Sequence, residues 1–96
     1  MENNLAFKAD NLSVAAVALK FDIPDGQIVA RAYCTVETAA VRFRYDGGTP
    51  VAGVGGGHLA NAGDEFIVEG TQNVKNFRVV ANTATVANLY YTLESV

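Results

Sequence analysis

The side chains able to do chemistry are few and scattered. His58 is the only histidine and Cys34 the only cysteine. A catalytic thiol needs a base beside it, so these two residues are the only thiol–imidazole pair on offer. Cys34 sits in the apolar stretch Ala32-Tyr33-Cys34-Thr35-Val36, which reads as a buried, inert thiol packing as a small hydrophobe. A metal site needs three or four ligands. His58 has only Asp46 and Asp64 flanking its loop as companions, so a surface hydrogen bond is the expected use of its imidazole. Glu65 and Glu69 are candidates for the carboxylate pair of a glycosidase, but they fall on one face of one short strand and read as a solvated face. Ser13 and Ser95 are the only serines, and neither lies in a nucleophile elbow. Gly53-Val54-Gly55-Gly56-Gly57-His58 approaches a dinucleotide fingerprint. Its sixth position is His58 rather than Gly or Ala, and no helix is expected after it. No catalytic residue, metal ligand set or cofactor site is assigned, and the chain is not expected to be an enzyme.

What remains is binding, and composition narrows it. The 96 residues carry 7 Lys plus Arg against 10 Asp plus Glu, a net charge of -3. Nucleic-acid binders draw much of their affinity from a basic face, so no nucleic-acid partner is expected. No apolar run approaches the roughly 20 residues that span a bilayer, and Met1-Glu2-Asn3-Asn4 does not begin a secretory signal. A soluble protein made in a cytoplasm, with no membrane partner, is expected. Half of the chain is apolar and only 18% is charged. The second figure is low for a lone soluble domain, which suggests surface meant for neighbours.

The elements expected to position these residues are strands. Val, Thr, Tyr, Phe and Ile recur in short runs between Gly, Asn and Asp clusters. The runs cover residues 13–21, 28–37, 40–46, 65–70, 77–82 and 85–94, with a further brief strand at Thr49–Ala52. Alternation is clearest in the third, where Val41, Phe43 and Tyr45 oppose Arg42 and Arg44. In the last, Leu89, Tyr91 and Leu93 oppose Tyr90, Thr92 and Glu94, which makes Tyr90 the exposed tyrosine of the pair. Residues 12–20 also admit a helix capped by Ser13, though the all-β context favours a strand. Residues 71–76 are expected to form a turn or a single helical turn. The glycine-rich segment 47–64 reads as a flexible surface loop. These patterns predict one all-β domain over residues 1–96: a small antiparallel β-sandwich, jelly-roll or Ig-like, of about 6–8 strands. Residues 1–11 are polar and are expected either to fray or to act as an N-terminal arm on a neighbouring subunit.

One resemblance sharpens the functional expectation. Val41-Arg42-Phe43-Arg44-Tyr45-Asp46-Gly47-Gly48-Thr49-Pro50 is followed by Gly57-His58-Leu59 and Ala62-Gly63-Asp64-Glu65. Glu69-Gly70, Val74-Lys75-Asn76-Phe77-Arg78 and Leu89-Tyr90-Tyr91-Thr92 complete the order. Over residues 41–94 the chain resembles small all-β virion structural proteins of tailed bacteriophages. The resemblance implies a capsid decoration, or cement, protein without catalytic residues. It would act in the virion through contacts with the major capsid protein or other virion proteins, as a homo-oligomer with a trimer favoured. Arg42, Arg44, His58 and Tyr90 are the expected interface residues, with loop 47–64 and the N-terminal arm. Removal of residues 1–11 is expected to weaken docking without unfolding the chain. A neck or tail adaptor, or a fibre anchor, fits the same residues. A small carbohydrate- or peptide-binding β-sandwich using Tyr90, His58 and the glycine loop is the alternative of another class.

Overall fold

The computed structural model describes residues 5–95. Its elements run β1 (Leu5–Val14), β2 (Val29–Glu37), β3 (Val41–Arg44), β4 (His58–Ala60), β5 (Glu65–Glu69), α1 (Thr71–Asn76), β6 (Arg78–Ala81) and β7 (Ala87–Ser95). They form two antiparallel sheets, one in the order β1-β7-β2-β5 and one in the order β4-β3-β6. The chain is therefore an all-β sandwich, and the seven strands among the described residues fall within the expected number. No helix among the described residues is long and apolar enough to cross a membrane.

The alternation read from the sequence is what closes the sandwich. Leu89, Tyr91 and Leu93 on β7 are fully buried, as are Ala32 and Cys34 on β2, with Val36 almost so. Val41 and Phe43 on β3 and Val79 on β6 close the core from the other sheet. A chain of rings crosses the interior. Phe66 stacks on Phe43 at 4.3 Å, Phe43 tilts against Phe77 at 5.6 Å, and Phe77 stacks on Phe21 at 4.3 Å. Phe21 then tilts against Tyr91 at 4.7 Å, and the Tyr91 hydroxyl accepts the Asp22 N–H at 3.2 Å. Offset and tilted pairs of this kind add to the burial of each ring.

The N-terminal third departs from expectation. Residues 5–11, expected within a free arm, belong to β1 and pair with β7, with Asn11 opposite Tyr90 and Leu12 opposite Leu89. Residues 1–4 of that stretch lie outside the described residues. β1 lacks clean alternation because it lies at the sheet edge, where only part of one face meets the core. Residues 15–21, expected as strand, are irregular apart from an isolated bridge between Leu19 and Val79. Their apolar side chains are not all interior, and Val17 is 75% exposed. Residues 71–76 form the expected short helix, with Val74 buried beneath it.

Candidate functional site

Three of the four expected interface residues lie on the smaller sheet, the arginines on one face and the histidine on the other. Arg42 and Arg44 point outward from β3 and His58 opens β4, directly opposite Phe43. Tyr90 stands on the outer face of the other sheet, across the sandwich, and is 46% exposed. The two arginines are largely engaged within the chain. Arg42 donates from Nε to Asn82 Oδ1 at 2.9 Å and from Nη1 to the Gly57 carbonyl at 3.2 Å. Arg44 grips Asp46 through two bonds, Nε to Oδ1 at 3.0 Å and Nη2 to Oδ2 at 2.7 Å. That guanidinium, aided by the Gly48 N–H, holds the Asp46 carboxyl down to about 2.

These bonds give the glycine-rich loop a built shape, unlike the flexible segment expected. Asn82 Oδ1 also accepts the Gly53 N–H at 3.0 Å, so one amide ties β6, β3 and the loop together. Val51 N–H donates to the Gly56 carbonyl at 2.9 Å, and Gly56 N–H to the Gly53 carbonyl at 3.1 Å. The expected strand at Thr49–Ala52 is replaced by this turn, with Pro50 fully buried. A Cβ on Gly56 would collide with the Val51 carbonyl oxygen, so only glycine allows the turn to close. Sequence reading missed Asn82, and the single signal it offers is an amide at the end of an apolar strand.

His58 makes ring contacts in place of the expected surface hydrogen bond. Its imidazole stacks on Tyr45 at 5.6 Å and tilts against Phe43 at 5.4 Å. Tyr45, expected to point inward with Val41 and Phe43, lies beyond the end of β3 and is 40% exposed. The chain turns at Asp46, and the alternation stops with the strand.

Beside this pair, the open edges of β4 and β5 flank a groove of about 570 Å³. Tyr45, His58 and Leu59 line one side, and Phe66, Glu69 and Asn73 the other. Above it the outer face of the four-stranded sheet carries Tyr33, Ile67 and Tyr90, all exposed. Glu37 and Glu65 lie on the same face, and an Arg31–Glu94 ion pair of 2.6 Å crosses it. Glu65 accepts the Tyr33 hydroxyl, which raises that phenol above its ordinary value. Glu65 and Glu69 share this face, as their spacing predicts. Cys34 is fully buried between the sheets, and burial pushes its thiol up to about 12. A thiol so placed is neutral and unreactive at physiological pH. Among the described residues no three His, Cys, Asp or Glu side chains gather as a metal site. Comparison with known proteins found no matching family model, curated protein or solved structure.

Proposed function

We propose that this chain is a structural protein of a virus particle, a capsid decoration protein that stabilises a bacteriophage head through protein–protein contacts. The observation that carries the reading is the outer face of the four-stranded sheet. There Tyr33, Ile67 and Tyr90 stand exposed on three adjacent strands, with carboxylates around them. Tyrosine and a branched aliphatic inside a polar rim are the composition of an interface centre. The resemblance over residues 41–94 supports the same reading. The proposed mechanism is mechanical. A protein that binds the assembled shell in preference to its free subunits stabilises the shell by mass action. A small symmetric oligomer, a trimer favoured, supplies several such contacts at once.

A neck or tail adaptor, or a fibre anchor, would use the same surface at a lower copy number. The groove beside Tyr45 and His58 favours a further reading, a small peptide- or carbohydrate-binding module. Quantitative mass spectrometry of purified particles separates these readings. Abundance near that of the major shell protein is the expected result. A copy number far below it moves the proposal to neck, tail or fibre. Absence from particles overturns it and brings forward a glycan and peptide screen.

A further inference from the structure

Among the described residues the four edge strands of the two sheets differ in how they are protected. The β1 edge carries a bulge between Ala6 and Lys8 and the charge of Lys8 itself, which bonds Asp22 at 2.6 Å. Bulges and lysines are the devices that keep an edge from pairing. The β6 edge is already covered. Leu19 exchanges two backbone bonds with Val79, and the Ala81 N–H reaches the Ala15 carbonyl. β4 is three residues long. β5 has none of these protections: Glu65-Phe66-Ile67-Val68-Glu69 has no proline, lysine or register shift.

The hydrogen-bond phase of β5 is fixed by its flanks. Val36 N–H donates to the Asp64 carbonyl at 2.9 Å, and Gly70 N–H to the Ala30 carbonyl at 2.8 Å. In an antiparallel ladder alternate residues bond the partner strand, so Phe66 and Val68 turn their backbone groups to β2. Glu65, Ile67 and Glu69 turn theirs away from it. The Glu69 carbonyl is taken by Asn73 Nδ2 at 2.9 Å. The others form a short open template centred on Ile67, which is 48% exposed.

We propose that this edge takes a strand from a partner protein, and that the strand carries a basic residue, three apolar residues and a second basic residue. The charges select this occupant. Glu65 and Glu69 flank Ile67 on the outer face, and Glu37 and Glu94 share that face with Arg31, its one cation among the described residues. Arg31 lies opposite Glu69 and bonds Glu94 at 2.6 Å. A second copy fits poorly, because antiparallel self-pairing about Ile67 sets Glu65 of each copy against Glu69 of the other. Like charges directly opposed across strands repel, and opposite charges attract. An incoming strand with Lys or Arg two residues either side of its centre meets both carboxylates, whichever way it runs. Its central side chain lies on Ile67. The two residues between centre and flanks point inward, beside Phe66 and Val68, into the groove lined by Tyr45, His58 and Leu59. Main-chain bonds would supply affinity and the alternating side chains specificity, as in other cases of strand addition.

This inference rests on the reading of the chain as a protein-binding module, and it specifies one attachment. The test uses the full chain and two synthetic peptides, Thr-Lys-Val-Ile-Val-Lys-Thr and its twin with Glu in place of both Lys, each capped at both ends. Isothermal titration at low salt is expected to give about tenfold tighter binding of the lysine peptide, a preference that shrinks as salt rises. The double variant Glu65→Lys, Glu69→Lys is expected to reverse the preference, with its fold checked by circular dichroism. Equal affinity for the two peptides, or binding of neither, overturns the proposal using the unmodified chain alone. The titration reports on the β5 edge and the particle copy number on location, so failure of one is distinguishable from failure of the other.

Discussion

Asp46 turns the chain at the end of β3, and its carboxylate takes three hydrogen bonds, two from Arg44 and one from the Gly48 N–H. The consequence is a pH dependence with a definite sign. The folded-state value, about 2, lies below the ordinary 3.8. The stabilisation is therefore fully present above about pH 4 and is lost as pH falls through the folded value. Asp46→Asn removes this contribution. The urea midpoint of the unmodified chain is expected to fall more steeply between about pH 4 and pH 2 than that of the variant. Parallel declines would show that the carboxylate is no better held in the folded chain than in the unfolded one. Cys34 illustrates the opposite case, a titratable group whose burial removes it from chemistry. Both residues were legible as types, but only Cys34 was legible as to environment. An apolar neighbourhood in sequence usually means an apolar neighbourhood in space, whereas the grip of Arg44 on Asp46 depends on a turn geometry that spacing alone does not fix.

At the scale of elements, the strands that alternate most clearly are the ones the sequence placed best. β2, β3, β5 and β6 each fall within an expected run, and β7 overruns its own only by Ser95, because each turns an apolar face to the core. β1 and residues 15–21 exchanged roles. The polar stretch became the strand and the apolar stretch became the cover of the β6 edge. Edge strands tolerate polar residues on both faces, so hydrophobic pattern is a poor guide there. The glycine loop shows the same limit. Its glycines advertised freedom, but its form is imposed by Asn82, Arg42 and the Val51–Gly56 contact. Asn82→Ala removes an acceptor shared by Arg42 Nε and Gly53 N–H. The expected cost is about 2 kcal/mol in urea unfolding, with faster amide exchange at Gly53. Asn82→Asp keeps an acceptor and is expected to retain most of the protection. Unchanged exchange at Gly53 in the alanine variant would show that the loop is held by other contacts.

The whole molecule turns on what covers β7. β7 is central because β1 and β2 pair with it on either side. Removing residues 1–11 deletes most of β1, the Lys8–Asp22 ion pair and the packing of Phe7 against the core. It also leaves a new open edge beside Tyr91. The truncated chain is therefore expected to lose stability as well as any docking role, with a thermal midpoint roughly 10 °C lower. An unchanged midpoint would return residues 5–11 to the standing of a separable arm. The same arrangement distinguishes the two ends of the larger sheet. One end is blunted by a bulge and a lysine, and the other is left open at β5.

The sequence by itself determined the all-β class, the inward residues of the interior strands and the burial of Cys34. Alternation and composition are local properties, and burial on one face writes them directly into the chain. It also placed Tyr90 outward, because adjacent residues on a strand must face opposite ways. Only the tertiary structure decided that β1 and β5 lie at the edges, and that Arg42 and Arg44 are engaged within the chain. It alone brought Tyr45, His58 and Phe66 to one groove, and it alone separated them from Tyr90. Such facts depend on which strands become neighbours. That is settled by pairings between residues as far apart as Asn11 and Tyr90, which no local pattern records.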